Sequence, residues 1–357
     1  MKQTNFKTEI FSLSSAQVVA DMRIGWNLGN TLDCLTTAEQ GLDAEIAWGN
    51  PRVTRAMLEV VAAAGFGAVR IPVTWAGHFG SPPDYTIDPD WLRRVEEIVG
   101  YVLDCGMYAI LNLHHDGAET LNLGAWLVPD FSHYEDVKPC FTALWRQIAD
   151  HFKAYGDRLL FESMNEPHCH EDWIGETEHH MVVNRLNAAF VTTIRSSGGN
   201  NPVRHLLIPT YAASPKHAPI QDFILPRDDR LIVSVHAYIP TEFCFPSYDV
   251  TWDTPTNVWG SEADRAKLTD MLDLLADSFT RQGVPLLIGE FAAVAKPDPQ
   301  QRLQWCGCFL REAAKRGIPC FWWDTFTHGE TMGLLDRSKL VWRDPALLAC
   351  MQSAVKE

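Results

Sequence analysis

The sequence predicts an α/β fold, a single (β/α)8 barrel domain over residues 1–357, with the barrel itself at about 20–345. First, eight short apolar segments alternate with amphipathic helical patterns, which is typical of a parallel sheet covered by helices. Second, eight such units in a chain of this length favour a closed barrel over an open sheet. Third, the first strand carries no dinucleotide fingerprint, because Gly25–Asn30 does not fit G-x-G-x-x-G.

The predicted strands are short and rich in branched apolar residues. In chain order they are Arg23–Leu28, Ala68–Pro72, Met107–Leu113, Leu159–Ser163, His205–Pro209, Leu231–Ala237, Pro285–Ile288 and Pro319–Trp323.

Several of these strands follow an amphipathic helix and a glycine. Asp88 can cap one such helix with Pro89 at its first position, and this helix is predicted to run through Trp91 and Val102 and to stop at Gly106. The same pattern is found at Val60–Gly65, Asp270–Gly283 and Pro299–Gly317. The longest irregular stretch, at about residues 239–260, is predicted to be a loop on the barrel rim.

Composition and charge exclude several classes of protein. The net charge of −15 argues against a nucleic-acid partner, which would need basic patches. No membrane span is expected, because Arg55, Glu59 and Arg70 interrupt the most apolar region. The polar start of the chain lacks a signal-peptide core, so the protein is either intracellular or a mature form. Nine cysteines without a C-x-x-C pair do not indicate a disulfide framework, and at least one thiol must stay unpaired within the chain.

Polar and aromatic side chains stand at the ends of most predicted strands. Active sites of such barrels lie at the carboxyl ends of the strands, and burying these groups without partners would be costly. The strand-end set therefore predicts an active site and comprises Asn30, Arg70, His114, Asn165, Glu166, His236, Tyr238, Glu290 and Trp323.

Two carboxylates stand out in this set, Glu166 after the fourth strand and Glu290 at the seventh. Cleavage of a glycosidic bond needs one protonated carboxyl for the leaving oxygen and one carboxylate for the anomeric carbon. Arg70 would keep a neighbouring carboxylate ionised and Tyr238 could donate a hydrogen bond to it, which suits a nucleophile. The alternative is that both glutamates only form salt bridges with Arg70 and the histidines.

Six motifs resemble those of glycoside hydrolase family 5, in that family's chain order and over roughly residues 20–345. They are GWNLGNTL at 25–32, VRIPVTW at 69–75, LNLHHD at 111–116, FESMNEP at 161–167, His236-Ala237-Tyr238 and IGEF at 288–291, with FWWD at 321–324 similar to the eighth-strand tryptophan motif. In the form that they take in this chain, these motifs are most similar to those of the family's bacterial endo-β-1,4-glucanases. After FWWD the family often continues Asn-Gly, whereas this chain has Thr325-Phe326, which leaves the preference of the outer subsites open.

The resemblance implies a role for each matching residue. Glu166 would be the acid/base and Glu290 the nucleophile of a retaining mechanism, with Asn165 on the sugar 2-hydroxyl. Arg70 and Tyr238 would hold Glu290, His114 and His236 would position carboxylates and hydroxyls, and Trp323 would form the floor under the sugar. A xyloglucanase, a mixed-linkage β-glucanase or a β-mannanase on the same scaffold stays an alternative, as does, more remotely, a barrel that binds glycan without cutting it.

Further residues are weaker candidates for substrate contact. Adjacent strand residues point to opposite faces, so His114 is expected to line the mouth and His115 to support it. Sugar rings pack against exposed aromatic side chains. Two of the four tryptophans in predicted loops are therefore expected to line the cleft, and these four are Trp126, Trp173, Trp252 and Trp259. His78, after the second strand, is either a substrate contact or a surface residue.

Neither a metal nor a cofactor is expected. Histidines 168, 170, 179 and 180 follow the fourth strand, but His168-Cys169-His170 has no third ligand at a recognised spacing. The expected partner is a β-glucan polysaccharide or oligosaccharide, with no nucleic acid and no membrane, and the protein is expected to be a monomer. Because polymeric glucan cannot enter a cell, the substrate implies a secreted protein, although a cytoplasmic enzyme acting on imported oligosaccharides stays an alternative.

Overall fold

The computed structural model describes residues 12–35, 41–119, 124–245, 255–325 and 332–355. Within these ranges, no helix is both long and apolar enough to cross a membrane. All nine cysteines lie in the described part of the chain, and each of them is a free thiol.

Eight parallel strands of the described chain close into a barrel in sequence order, with β8 paired to β1, as the sequence predicts. The barrel strands are β1 (Ile24–Leu28), β2 (Ala68–Ile71), β3 (Tyr108–Asn112), β4 (Leu159–Glu162), β5 (Leu206–Pro209), β6 (Leu231–His236), β7 (Leu286–Phe291) and β8 (Cys320–Asp324). A small antiparallel pair, β9 (Leu335–Asp336) and β10 (Val341–Trp342), follows the barrel.

Ten helices are found in the described residues, most of them packed around the barrel. They are α1 (Ser15–Met22), α2 (Arg55–Ala63), α3 (Pro89–Asp104), α4 (Tyr134–His151), α5 (Thr177–Arg195), α6 (His217–Gln221), α7 (Thr241–Cys244), α8 (Glu262–Ser278), α9 (Pro299–Ala314) and α10 (Pro345–Ala354). Asp88 caps α3 and Pro89 lies in its first turn, as predicted. The helix predicted from Asp270 begins earlier, at Glu262, because Ser261 and Asp264 form a capping box there. The predicted rim loop includes α7, and its residues 246–254 lie outside the described ranges.

The barrel interior is divided into an apolar lower layer and a polar upper layer. Side chains such as Ile110, Leu160 and Phe321 fill the lower layer together with Val18 and Met22 of α1, which lies under the barrel. A methyl group at Gly25 would lie 2.1 Å from the Phe321 ring, so this close approach requires glycine.

Two residues further along each strand, the inward side chains are polar. They include Asn27, Arg70, Asn112, Glu162 and Ser234, all of them 0% exposed. Successive strand residues point to opposite faces, so these side chains share the face of the apolar layer below them. The barrel therefore presents a buried polar platform directly beneath its carboxyl-terminal mouth.

Candidate active site

Arg70 is the centre of the polar platform. Its guanidinium donates from Nε to Glu162 Oε2 (2.7 Å), from Nη1 to Glu290 Oε1 (2.7 Å) and Asn27 Oδ1 (3.1 Å), and from Nη2 to Asn165 Oδ1 (2.7 Å). Burial lowers the pKa of Arg70, but Glu162 and Glu290 together bring it above its usual range. The guanidinium therefore stays charged and fixes one oxygen of each of four side chains.

Glu162 is a functional residue that the sequence reasoning missed. This fully buried carboxylate also accepts from Ser234 Oγ (2.7 Å) and Asn112 Nδ2 (3.0 Å). Asn27 was missed as well; its Nδ2 donates to the Gly289 carbonyl (2.9 Å). The available signal was a polar residue inside a predicted apolar strand, which is costly unless partners satisfy it.

Glu290 lies on β7, where the pairing with β6 is irregular after Val235. Such irregularities re-aim side chains and are common next to active sites. Tyr238 donates its hydroxyl to Glu290 Oε2 (2.8 Å), while Arg70 occupies Oε1. Both oxygens of Glu290 therefore face donors, as a stable carboxylate requires.

Glu166 follows β4 and has a different environment. Its Oε1 is 2.6 Å from His236 Nδ1, and its side chain is 22% exposed against 6% for Glu290. His236 Nδ1 is also 3.6 Å from Glu290 Oε2. One oxygen of each carboxylate lies within 4.8 Å of the other and of His236, so the three groups form one compact cluster.

The pKa shifts of the two carboxylates differ in sign. Burial raises the pKa of Glu290, although His236 and Arg70 oppose the rise. Burial also raises the pKa of Glu166, but the charge and the hydrogen bond of His236 outweigh it and bring the pKa below its usual range. The contact with His236 therefore favours the ionised form of Glu166, which is the form that acts as a base.

An aromatic surface borders the carboxylates. Trp323 stacks on His114 with ring centroids 5.5 Å apart and an interplanar angle of 2°. Burial, followed by His115 and Arg70, lowers the pKa of His114, so this ring is neutral. Trp322 points the other way, into the core, and donates to the Met332 carbonyl (2.9 Å). The alternation places Trp323 at the mouth, as predicted.

Other predicted residues lie around this centre. His115 is half-buried, and its Nδ1 is 2.9 Å from the Asp33 carbonyl oxygen, a supporting position. Trp126 is half-buried and donates to Asp116 Oδ1 (3.0 Å). Trp173 is 44% exposed and stacks on His168 at 4.1 Å, so it is the most exposed of the three loop tryptophans that the structure describes.

Two predictions need correction. His78 is neither a substrate contact nor a surface residue, because it is buried and stacks on Trp91 at 3.8 Å. Trp259 is 3% exposed beneath Arg265, so it is a core residue. Asn30 is buried just after β1, where its backbone N–H donates to Asp33 and its carbonyl accepts from Asn50, and its contact with substrate stays a prediction. Trp252 lies outside the described residues.

The cluster of Glu166, His236 and Glu290 has the atom types of a metal site. The Arg70 guanidinium already pairs with Glu290 (2.7 Å), and His236 Nδ1 already lies 2.6 Å from Glu166 Oε1. A cation would have to compete with both. The arrangement is better suited to proton transfer and to stabilising a positively charged sugar carbon.

A closed parallel barrel with two unlike carboxylates at its mouth, one held by arginine and tyrosine and the other by histidine, defines the class of retaining glycoside hydrolases. Residues 32–329 match the family model described as Cellulase (glycosyl hydrolase family 5). The chain belongs to glycoside hydrolase family 5 and is a glycoside hydrolase.

Curated relatives and solved structures agree with this assignment. The chain is 44% identical over 348 residues to Cellulase/esterase CelE of Acetivibrio thermocellus, an alignment that covers 95% of this chain but only 40% of that protein. It is 41% identical to Endoglucanase B of Clostridium cellulovorans, covering 96% of this chain and 76% of the relative. A solved broad-specificity endoglucanase from Ruminococcus champanellensis, with bound cellotriose, superposes with a TM-score of 0.88 at 40% identity and covers 96% and 99% of the two chains.

Proposed function

We propose that this family 5 hydrolase is an endo-β-1,4-glucanase that cleaves internal bonds of cellulose-type glucans with retention of anomeric configuration. The observation that carries the proposal is the Glu166–Glu290 pair, whose nearest oxygens lie within 4.8 Å. Retaining enzymes have carboxyl groups about 5–5.5 Å apart, whereas inverting enzymes need roughly 6.5–9.5 Å to admit a water. The short separation favours double displacement.

In the first step Glu290 attacks the anomeric carbon and forms the glycosyl-enzyme. Glu166 transfers its proton to the leaving oxygen, and the C–O bond to the departing chain breaks. Arg70 and Tyr238 hold the two Glu290 oxygens, which supports attack from one fixed direction.

In the second step Glu166, now a carboxylate, removes a proton from water, and the resulting hydroxide displaces Glu290 from the sugar. His236 supports both steps, because its Nδ1 lies 2.6 Å from the Glu166 oxygen that must gain and lose the proton. The lower exposure of Glu290 favours the covalent step by keeping bulk water from that carboxylate.

Asn165 is proposed to read the sugar 2-hydroxyl. Arg70 donates to Asn165 Oδ1, which orients the amide so that Nδ2 is available to the substrate. Trp323, flanked by His114, would form the apolar floor under the ring. The hypothesis of a β-mannanase is less favoured, because the 2-hydroxyl of mannose has the opposite orientation to the 2-hydroxyl of glucose. Similarity to a solved xyloglucan-specific endo-β-1,4-glucanase and to a solved lichenase supports xyloglucan and mixed-linkage glucan as further substrates.

A polymeric substrate further supports action outside the cell. The alternative of a barrel that binds glycan without cutting it has less support, because both carboxylates and Arg70 are in place.

The test is reducing-sugar release from carboxymethylcellulose, xyloglucan, barley β-glucan and mannan by the wild type, Glu290→Ala and the exposed control Glu178→Ala. Glucan hydrolysis should fall at least 10⁴-fold in Glu290→Ala and stay unchanged in the control. Added azide should restore cleavage of an activated β-glucoside by Glu290→Ala and give the α-glycosyl azide, because the small anion enters from the nucleophile's side. Equal hydrolysis by both variants would overturn the assignment.

A further inference from the structure

A second group of metal-ligating side chains lies away from the catalytic centre. A carboxylate oxygen of Asp130, the thiol of Cys169 and a ring nitrogen of His170 all lie within 4.8 Å of one another. Asp130 belongs to the segment between β3 and α4, whereas the other two residues follow β4. The fold thus supplies the third ligand that sequence spacing could not reveal.

We propose that Asp130, Cys169 and His170 form a binding site for a divalent cation of the zinc class, with water as the fourth ligand. Thiolate, imidazole and carboxylate together are the ligands that Zn²⁺ prefers, whereas Mg²⁺ and Ca²⁺ select oxygen atoms alone. Zinc bond lengths place tetrahedral ligand atoms roughly 3.5 Å apart, so side-chain movements of about 1 Å would complete the site.

The neighbours of His170 and Asp130 orient them as ligands. Glu119 Oε2 accepts from the His170 backbone N–H (3.0 Å) and lies 3.0 Å from His170 Nδ1. This carboxylate–histidine contact fixes the ring and leaves Nε2 for a metal, which is the usual outer-shell arrangement in zinc proteins. The backbone N–H and hydroxyl of Ser132 occupy Asp130 Oδ1 (2.7 and 2.8 Å), while Oδ2 lies 3.6 Å from His133 Nδ1.

The backbone of Cys169 is also fixed. Its N–H donates to Tyr211 Oη (2.9 Å), and the tyrosine hydroxyl donates to the Asp172 carbonyl (2.6 Å). Cys169 is 2% exposed, so the fold holds this side chain in place before any ion arrives.

An ion at this site would join two loops that serve the catalytic mouth. His168, next to Cys169, contacts the Glu166 carbonyl through Nδ1 (2.7 Å) and stacks on Trp173. The cation would therefore hold the loop that follows the proposed acid/base residue and carries the exposed tryptophan. We expect stabilisation of this rim rather than participation in bond cleavage.

The first test is calorimetric titration of the chelator-treated full chain with ZnCl₂. We expect one equivalent of Zn²⁺ to bind, with affinity lowered at least tenfold by Cys169→Ser and by Asp130→Ala. Cys105→Ser is the matched control and should bind as the wild type does, because Cys105 is a half-buried cysteine that precedes β3 at the amino-terminal end of the barrel. Glu290→Gln should also keep its zinc while losing hydrolysis, which separates this site from the proposed function.

Co²⁺ provides the second readout, because a thiolate ligand gives a charge-transfer band in the near ultraviolet. The band should appear with the wild type and with Cys105→Ser and be absent with Cys169→Ser. Should Cys169→Ser fail to fold, Asp130→Ala and His170→Ala alter only partly exposed side chains and keep the test decisive. No stoichiometric zinc uptake, uptake unchanged in these variants, or a cobalt complex without the thiolate band would each overturn the proposal.

Discussion

At the scale of single residues, Arg70 and the carboxylates on either side of it determine the charge balance of the barrel interior. Glu162 lies below the guanidinium and Glu290 above it, each 2.7 Å from a guanidinium nitrogen. Only Glu290 reaches the mouth. Glu162 is therefore proposed as a positioning residue that acts through Arg70 rather than on the substrate.

We expect Glu162→Gln to lower kcat roughly 10- to 100-fold with little change in KM, because a misplaced arginine weakens transition-state contacts more than ground-state binding. Breaking the buried pair should also lower the free energy of unfolding by about 3 kcal/mol. Steady-state kinetics and urea unfolding measure the two effects. Ser234→Ala, which removes one donor to Glu162, should show both effects in weaker form. A rise in KM alone would contradict the positioning role.

The Tyr238 hydroxyl acts on Glu290 directly, and its hydrogen bond lowers the pKa of that carboxyl. Tyr238→Phe removes this contribution, so the pKa of Glu290 rises further. Because the nucleophile must be ionised, the acidic limb of the kcat/KM–pH profile should move to higher pH. A profile measured on a soluble cello-oligosaccharide gives the answer. An unchanged acidic limb with uniformly lower activity would show that the hydroxyl only orients the carboxylate.

At the scale of elements, α8 is a helix whose start depends on local capping. Ser261 Oγ accepts from the Asp264 N–H (3.1 Å), and Asp264 Oδ2 accepts from the Ser261 N–H (3.0 Å). Ser261→Ala should lower the free energy of unfolding by about 1 kcal/mol without changing hydrolysis, because the cap lies on the outer helical layer. Denaturant unfolding beside Ser278→Ala, at the other end of the helix, checks this. Equal effects of the two substitutions would rule out a capping contribution.

The strand order and the Glu166–Glu290 pair could be predicted from local features of the sequence. These features are the spacing of apolar residues, the glycines that end helices and the polar residues at the ends of strands. Glu166 and Glu290 follow apolar runs directly, and the fold brings them together as expected. Glu162 and Asn27 escaped because their partners come from other strands. The predictions for Trp259 and His78 were wrong for a related reason, because a position in a loop does not determine whether a side chain is buried. Asp130 beside Cys169 shows the same dependence on tertiary structure.

At the scale of the whole molecule, two buried histidines link stability to pH. Burial lowers the pKa of His78 to about 4, with Asp88 opposing it. Burial, and then Arg230 and other arginines, lower the pKa of His205 to about 4 as well. Both are neutral in the folded protein at neutral pH, and His205 contacts Ser15 Oγ through Nδ1 (2.9 Å) under the barrel.

The direction in which stability changes with pH follows from the difference in proton binding between the folded and the unfolded state. A histidine in the unfolded chain takes up a proton near pH 6.5, whereas these two resist protonation until about pH 4 in the fold. The unfolded state therefore binds more protons between these values. The stabilisation is complete above pH 6.5 and is lost as the pH falls towards 4, by up to about 3 kcal/mol for each histidine.

Urea midpoints between pH 4 and 8 should therefore decline below pH 6.5, and His78→Phe should make that decline shallower. Phenylalanine keeps the stack on Trp91 and removes His78 Nε2, which is buried without a hydrogen-bond partner among the described residues. His133→Gln is the matched control, because the His133 side chain is 59% exposed and should leave the slope unchanged. If His78→Phe follows the wild-type curve at every pH, this buried ring does not contribute to the acid sensitivity, and His205 or the carboxylates must account for it.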